Sequence, residues 1–133
     1  MRHRCDHRKL GRPTDQRLAM LRSIVKALIL HEGVVTTVQR AKEARRVAEH
    51  VISIARQDSV HHRRMVARVL GSERQPTPTE RKAGKTKVDP IRKLFEDIGP
   101  SFADREKGGY CRLTRIGERR GDSTMMVRLE LVS

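Results

Sequence analysis

The fold class is decided by the stretch MMVRLEL at residues 125–131, in which apolar and polar side chains alternate. Every odd-numbered residue of this stretch is apolar, whereas the even-numbered positions include the charged residues Arg128 and Glu130. Successive side chains of a β-strand point to opposite faces, so a period of two predicts a strand with one face on a core and the other towards solvent. The rest of the chain must therefore supply a layer that covers the apolar face.

Two more strands are predicted upstream. Gly108-Gly109 opens a strand in which Cys111 and Leu113 alternate with polar neighbours, and Val34 to Thr37 is a short β-branched run that favours extended structure. The loop from Gly117 to Ser123 is too long for a two-residue hairpin turn. We therefore expect a small, largely antiparallel sheet.

Helices are predicted to supply the covering layer, because apolar residues recur at three- and four-residue steps in four segments. The segments lie between Pro13 and Gly33, at about Val38 to Arg56, at about Val60 to Leu70, and from Asp89-Pro90 to Gly99-Pro100. Thr14 and Asp89 are the predicted N-caps of the first and last helices, and Gly33 is the predicted left-handed end of the first. The predicted fold class is α+β, with a few helices packed on one face of the sheet.

The predicted core is aliphatic, because aromatic residues make up only 2% of the chain. Its predicted helical members are Leu18, Leu21, Val25, Leu28, Ala41, Ala44, Ala48, Val51, Ala55, Met65, Val66, Val69, Leu70, Ile91, Leu94, Phe95 and Ile98. The face of the second helix opposite its alanines, which includes Arg40, Lys42 and Glu43, is predicted to be mainly solvated. Arg17, Arg22 and Lys26 fall off the apolar stripe of the first helix and are predicted to face a partner.

Composition divides the chain into one folded domain and two segments that contribute little to a core. Residues 1–17 are rich in arginine and lysine and poor in large apolar side chains, which predicts a basic arm that becomes ordered on RNA. Residues 72–89 contain Pro76 and Pro78 and are predicted to form an inserted flexible loop. Residues 18–133 are then a single α+β domain.

Net charge indicates the kind of partner. The chain has 30 Lys+Arg against 16 Asp+Glu, a net charge of +14. A nucleic acid neutralises such an excess through phosphate contacts, whereas the apolar stripes are needed for a core and so argue against a membrane surface. The chain lacks a signal-peptide pattern and has two cysteines, too few for a disulfide framework, so we expect a cytoplasmic protein.

No local motif predicts a metal site, a phosphate-binding loop or a catalytic centre. His3, Cys5 and His7 alternate, but a structural zinc site requires four suitably spaced ligands. Gly84-Lys85-Thr86 lacks the first glycine of a phosphate-binding loop. We expect no catalytic residue, metal, cofactor or small-molecule substrate.

Two kinds of nucleic acid remain as candidates. Residues 38–70 could form a helix-turn-helix-like unit that places Arg63 and Arg64 in a groove of duplex DNA. The second helix is long for such a unit, and the positive charge is not concentrated there. RNA is recognised through phosphates, 2′-hydroxyls and shape, which suits a basic arm attached to a small folded body. RNA binding is therefore the preferred function and duplex-DNA binding the alternative.

Several motifs, in order along the chain, resemble those of bacterial large-subunit ribosomal protein seventeen. The resemblance runs from Met1 to Val132 apart from the loop. Its motifs are Met1-Arg2-His3, Lys9-Leu10-x-Arg12, Arg17-x-Ala19, Thr36-Thr37-x-x-Arg40-Ala41-Lys42-Glu43, Lys93-Leu94-Phe95, Gly108-Gly109-Tyr110-x-Arg112, Arg119-Arg120-Gly121-Asp122 and Glu130-Leu131-Val132. Gly71 to Asp89 is longer than is usual in that family, so no role carries over to it.

The resemblance implies a structural, non-enzymatic constituent of the large ribosomal subunit in the cytoplasm. Its implied partners are large-subunit ribosomal RNA and neighbouring large-subunit proteins, near the outlet of the nascent-chain tunnel. By matched position, the implied RNA contacts are Arg2, His3, Lys9, Arg12 and Arg17 in the arm, followed by Arg40, Lys42, Arg112, Arg119 and Arg120. Charge and predicted placement alone add Arg4, Arg8, Arg22 and Lys26 to this set.

Overall fold

A three-stranded antiparallel sheet forms one layer of the computed structural model, which describes residues 7–71 and 88–132. Its strands are β1 (Gly33–Thr37), β2 (Cys111–Glu118) and β3 (Met125–Leu131), in the order β1-β3-β2. The predicted strand at residues 125–131 is therefore the central one. The predicted α+β class with an antiparallel sheet is confirmed.

Strand β3 sets the two faces of the sheet. Leu129 pairs with Val34 on one side and with Leu113 on the other, and Val127 and Leu129 are buried. Arg128 points away from the core and is exposed. The alternation in the sequence thus maps directly onto a core-facing and an outward face.

The second layer consists of helices. Three of them are α1 (Thr14–His31), α2 (Val38–Ala55) and α3 (Val60–Leu70). A fourth helical segment comprises α4 (Pro90–Lys93), a π-helical turn (Leu94–Ile98) and α5 (Gly99–Ser101). This segment continues to Ser101, one residue beyond its predicted end.

The core between the layers is mainly aliphatic, as the composition predicted, although Phe95, Phe102 and Tyr110 are buried in it. Leu28 of α1, Ile52 of α2, Leu94 and Leu129 are essentially inaccessible to solvent. Burying a side chain of this size contributes about 1.5–3 kcal/mol. Tyr110 is also enclosed, and its hydroxyl donates to the Arg105 carbonyl oxygen at 3.0 Å, which satisfies its polar end.

Small residues allow α2 to pack closely against its neighbours. The predicted alanine stripe of α2 is buried throughout, including Ala41, Ala48 and Ala55. A Cβ atom on Gly99 would lie 2.3 Å from the Ala55 carbonyl oxygen, so only glycine permits this approach. The alanine stripe is thus a helix-packing surface.

Two predicted ends of α1 are wrong. Thr14 is the first helical residue, the N-cap position is Pro13, and the Pro13 side chain accepts no capping hydrogen bond. At the other end Glu32, rather than Gly33, adopts the left-handed conformation, with φ 61°, and Gly33 begins β1. The Lys93 ammonium donates to the Leu30 carbonyl oxygen at 3.0 Å and to Glu32 at 2.9 Å, which stabilises a non-glycine residue at this end.

Other helix ends agree with the sequence. The Asp89 carboxylate accepts a hydrogen bond from the Ile91 amide at 3.0 Å, with Pro90 in the first turn. Gly71 follows α3 with φ 76°. Both features are common at helix termini.

The predicted arm and loop lie partly outside the described residues. Residues 1–6 of the arm and residues 72–87 of the loop are not among the residues that the structure describes. Helix α1 begins at Thr14, so the last four residues of the predicted arm form its first turn. Leu10, in the described part of the arm, packs against the core cluster and anchors this segment to the domain.

Candidate nucleic-acid interface

A groove with several arginines lies where the arm, the first turns of α1 and the middle of α2 meet. Its volume is about 260 Å³. We call it the arginine groove, and its lining residues are His7, Arg8, Arg17, Leu18, Leu21, Glu43, Arg46 and Val47. The groove forms because the arm crosses α2 just before the chain enters α1.

A partly buried ion pair holds the arm against α2. The Arg8 guanidinium donates to the Glu43 carboxylate at 2.8 Å, and the Glu43 side chain is only 6% exposed. The predicted solvation of Glu43 is therefore wrong, because the arm covers that part of α2. A carboxylate removed from water needs such a partner, since burying an unpaired charge is costly.

Arg17 lines the same groove and is enclosed by the protein. Its sequence position off the apolar stripe of α1 suggested an exposed side chain, but the residue is 9% exposed, and its proposed contact with a partner stays a prediction. Among the described residues, no carboxylate or carbonyl group accepts a hydrogen bond from its guanidinium. Leu18 is 40% exposed at the rim, so its predicted place in the core is also wrong.

The Arg17 guanidinium nevertheless keeps contact with the groove. Within residues 7–71 and 88–132, only Nε of Arg56 is a side-chain nitrogen or oxygen that is fully enclosed and lacks a hydrogen-bond partner. No nitrogen of Arg17 is in this state. The nitrogens of Arg17 thus remain accessible although most of the residue is covered. This geometry presents hydrogen-bond donors to an anion in the groove.

A second basic surface runs along α1, on the side that faces α3. Arg22 is exposed there and Lys26 is half-buried, both beside a groove of about 520 Å³. The remaining lining residues of this groove are Ala19, Ser23, Ala27, Leu30, His31 and Leu70. Small side chains along its floor leave room for a partner to approach the helix closely.

Further predicted contacts are exposed but separate from the arginine groove. Lys9 and Arg12 lie on the arm, and Arg40 and Lys42 on the first turns of α2. Arg112 lies on the outward face of the sheet. Arg2, His3 and Arg4 lie outside the described residues.

The turn between β2 and β3 carries the last two predicted contacts. Arg119 donates through Nε and a terminal nitrogen to both oxygens of Asp122, and this hydrogen bonding holds the pKa of the Asp122 carboxyl well below its usual range. Arg120 is exposed beside this pair. Arg119 is thus largely neutralised within the turn, whereas Arg120 presents its charge to solvent.

Sequence reasoning missed two arginines near these surfaces. Arg46 lines the arginine groove, one helical turn beyond Glu43, and their three-residue spacing was a usable signal. Arg128 lies on the outward sheet face, 3.4 Å from Glu130, where the alternation of β3 already placed it.

Comparison with known proteins identifies the family. A family model described as ribosomal protein L17 matches residues 20–132. Large ribosomal subunit protein bL17 of Dictyoglomus thermophilum is 42% identical over 132 residues, covering 99% of this chain and 100% of that protein. The chain belongs to the ribosomal protein L17 family.

Other L17-family proteins match at similar levels. Large ribosomal subunit protein bL17 of Exiguobacterium sibiricum is 45% identical over 124 residues, which are 93% of this chain and 97% of that protein. The protein of the same name from Carboxydothermus hydrogenoformans is 43% identical over 126 residues, 95% and 98% of the two chains. The family that the sequence motifs indicated is confirmed, and with it the prediction that the protein is a structural ribosomal protein and not an enzyme.

The alternative of a DNA-binding unit at residues 38–70 is not favoured in this L17-family chain. Arg63 donates two 2.7 Å hydrogen bonds to Asp58, and its guanidinium lies 5.1 Å from the centre of the Phe95 ring. The Asp58 pairing lowers the pKa of that carboxyl and raises the pKa of Arg63. A side chain engaged on both sides is poorly placed to enter a DNA groove.

Neither a metal centre nor a reactive thiol is indicated in the part of this L17-family chain that the structure describes. Those residues contain no group of three or more histidine, cysteine or acidic side chains that could hold a metal ion. Cys111 is buried, and burial raises the pKa of its thiol to about 12. None of the helices in the described ranges combines the length and apolarity that crossing a bilayer requires.

Proposed function

We propose that this L17-family chain is a structural constituent of the large ribosomal subunit and binds large-subunit ribosomal RNA near the outlet of the nascent-chain tunnel. One observation carries most of the argument: relatives named large ribosomal subunit protein bL17 match it along nearly the full length of both chains. The location near the tunnel outlet follows from the family resemblance. Neighbouring large-subunit proteins are the remaining proposed partners.

Charge supplies the physical reason for an RNA partner. The net charge of +14 is carried largely by arginines and lysines that extend from the domain surface. Each cation that neutralises a phosphate releases counterions and contributes roughly 0.7–0.9 to the slope of log affinity against log salt. A chain of this kind binds folded RNA by bridging its phosphates, and it needs no catalytic group to do so.

The proposed contacts fall into three groups along the chain. The arm, residues 1–17, is proposed as the RNA-binding extension of a domain at 18–133, with 72–89 as an inserted loop. Arm contacts are Arg2, His3, Arg4, Arg8, Lys9, Arg12 and Arg17. Helix contacts are Arg22, Lys26, Arg40 and Lys42, and sheet contacts are Arg112, Arg119 and Arg120.

Co-sedimentation tests membership of the particle. The native chain, carrying a small tag at its C-terminus, is expected to travel with large ribosomal subunits through a high-salt gradient and to be depleted from small subunits. A matched pair of variants tests the basic surface: Lys9→Gln/Arg12→Gln is expected to reduce recovery, and Arg64→Gln/Arg68→Gln on α3 is expected to leave it unchanged. A chain found free of particles in gently lysed cells would contradict the proposal.

Competition tests the kind of nucleic acid. Large-subunit ribosomal RNA is expected to displace a labelled ribosomal transcript at moderate salt far more effectively than duplex DNA of equal phosphate concentration. Equal displacement by the two competitors would favour the DNA-binding alternative. Photo-crosslinks from Lys9 to ribosomal RNA, and from stalled nascent chains to this protein, test the position near the tunnel outlet.

A further inference from the structure

We infer that the arginine groove is a built site for a single backbone phosphate of the ribosomal RNA, bound through the guanidinium of Arg17. The inference rests on the proposed function and refines it, because it names one groove and one chemical group of the RNA. It is carried by a charged side chain that is nine-tenths buried and has no partner among the described residues. This is an unusual state for an arginine, since buried cations are normally paired.

Enclosure of Arg17 fixes the direction of its donors. The residue is 9% exposed, so its stem is packed against the protein. Arg17 lines the groove, and its nitrogens are not sealed from solvent, because within residues 7–71 and 88–132 a fully enclosed and unpaired side-chain nitrogen occurs only in Arg56. Holding the side chain in place before binding reduces the entropy lost when a ligand arrives.

The rest of the groove sets the sign of its ligand. Among the described residues, Glu43 is the one acidic side chain that lines the groove, and Arg8 already pairs with it at 2.8 Å. Arg46 and His7 complete the polar lining. The groove therefore favours an anion, and a carboxylate or phosphate would supply the acceptors that Arg17 lacks.

A phosphate is the anion that the remaining observations favour. The planar guanidinium presents paired donors that match two phosphate oxygens. Lys9 and Arg12 do not line the groove, but they follow its residue Arg8 along the arm and are exposed, so they add cations to the same segment. With a volume of about 260 Å³, the groove has ample room for a phosphate group.

Affinity for a transcript of the large-subunit ribosomal RNA, measured over a series of potassium chloride concentrations, tests the site. Arg17→Gln is expected to lower affinity about 10- to 100-fold, because it removes a charge-assisted contact. It is also expected to reduce the salt slope by roughly 0.7–0.9. The matched control is Arg68→Gln, which removes an exposed arginine on α3 and is expected to leave both quantities nearly unchanged.

Arg17→Lys tests whether the site requires the planar guanidinium or only its positive charge. Lysine preserves one positive charge, so the salt slope is expected to stay at the wild-type value. Its ammonium cannot make the paired contact, so affinity is expected to fall below wild type. If Arg17→Gln does not fold by circular dichroism, this variant decides the question alone, and unchanged affinity would overturn the site.

The possible outcomes keep the two proposals distinct. If the wild-type chain binds the transcript no better than duplex DNA, both the proposed function and this site fail. If the wild-type chain binds tightly but Arg17→Gln loses no more affinity than Arg68→Gln, the RNA-binding function stands and the phosphate site is overturned. Crosslinks from Leu18, at the rim of the groove, to protein in assembled large subunits would also overturn it, since the groove would then hold an acidic protein segment.

Discussion

The arginine groove and the turn between β2 and β3 use arginine in opposite ways. In the turn, Arg119 is exposed and is paired with Asp122, three residues along the chain. In the groove, Arg17 is enclosed, and the nearby carboxylate of Glu43 is engaged by Arg8, which lies 35 residues before it in the sequence. A local pair forms wherever the turn forms, whereas the groove exists only when the arm lies across α2.

The contrast shows that an arginine's position in a motif does not reveal its state. Both Arg17 and Arg119 match family motifs, and both were predicted as RNA contacts. The structure leaves Arg17 without a partner among the described residues, whereas it pairs Arg119 with Asp122 within its own turn. The variants below probe this difference, starting with the largest expected effect.

Replacing Arg8 of the arm is expected to lower the free energy of unfolding more than the substitutions that follow. Arg8→Met leaves the Glu43 carboxylate, whose side chain is 6% exposed, without its ion-pair partner. An unpaired buried acceptor of this kind costs about 1–3 kcal/mol, and urea unfolding followed by circular dichroism measures the loss. An unchanged unfolding midpoint would mean that the arm does not cover α2.

Replacing the Glu43 carboxylate instead is expected to lower the free energy of unfolding by less than replacing Arg8. Glu43→Gln leaves Arg8 without its counter-charge, but the Arg8 side chain is 48% exposed and can turn to water. The double variant Arg8→Met/Glu43→Gln is expected to recover part of the loss of Arg8→Met, because no buried charge remains unpaired. Strictly additive effects in this double-mutant cycle would contradict coupling between the two residues.

The turn pair is expected to have a smaller effect on stability. Asp122→Asn removes the carboxylate that Arg119 contacts, but both side chains are about half exposed and exchange readily with water. Its unfolding midpoint is expected to shift less than that of Arg8→Met in the same urea titration. A larger shift would show that the turn, and not the arm contact, is the more critical ion pair.

The turn pair is also expected to make a small pH-dependent contribution. Hydrogen bonds from Arg119 and Thr124 lower the pKa of the Asp122 carboxyl in the folded state. Stability from this group is therefore complete above the unfolded value of about 3.9 and is lost as the pH falls through the lower folded value. Unfolding midpoints of wild type and Asp122→Asn are expected to converge as the pH falls below 3.9, and a constant difference would contradict the shift.

Local patterns predicted most of the fold correctly. The alternation at residues 125–131 placed Val127 and Leu129 in the core and Arg128 outside it, and the alanine stripe of α2 is buried as predicted. These features depend on the period of a strand or helix, which is set by neighbours a few residues away. The end of α1 was missed because Lys93 stabilises it from 61 residues along the chain.

The errors at the candidate site have one physical cause. The exposed state of Leu18 and the buried states of Arg17 and Glu43 were not expected from the sequence, and all three residues line the arginine groove. Helical periodicity predicts which side of a helix is apolar, but it does not indicate which other segment will cover a polar side. Here the covering segment is the arm around Arg8, whose composition alone indicated solvation.

The sequence by itself determined the helix and strand pattern, the aliphatic core, the excess of positive charge and membership of the L17 family. Such properties arise from short-range periodicity, from summed composition or from ordered motifs, and none of them needs a long-range contact. Only the tertiary structure decided which arginine is paired, which is exposed and which is enclosed with no partner in the part of the chain that the structure describes. Those states depend on side chains that meet across tens of residues, because an ion pair forms where folding brings opposite charges within a few ångströms.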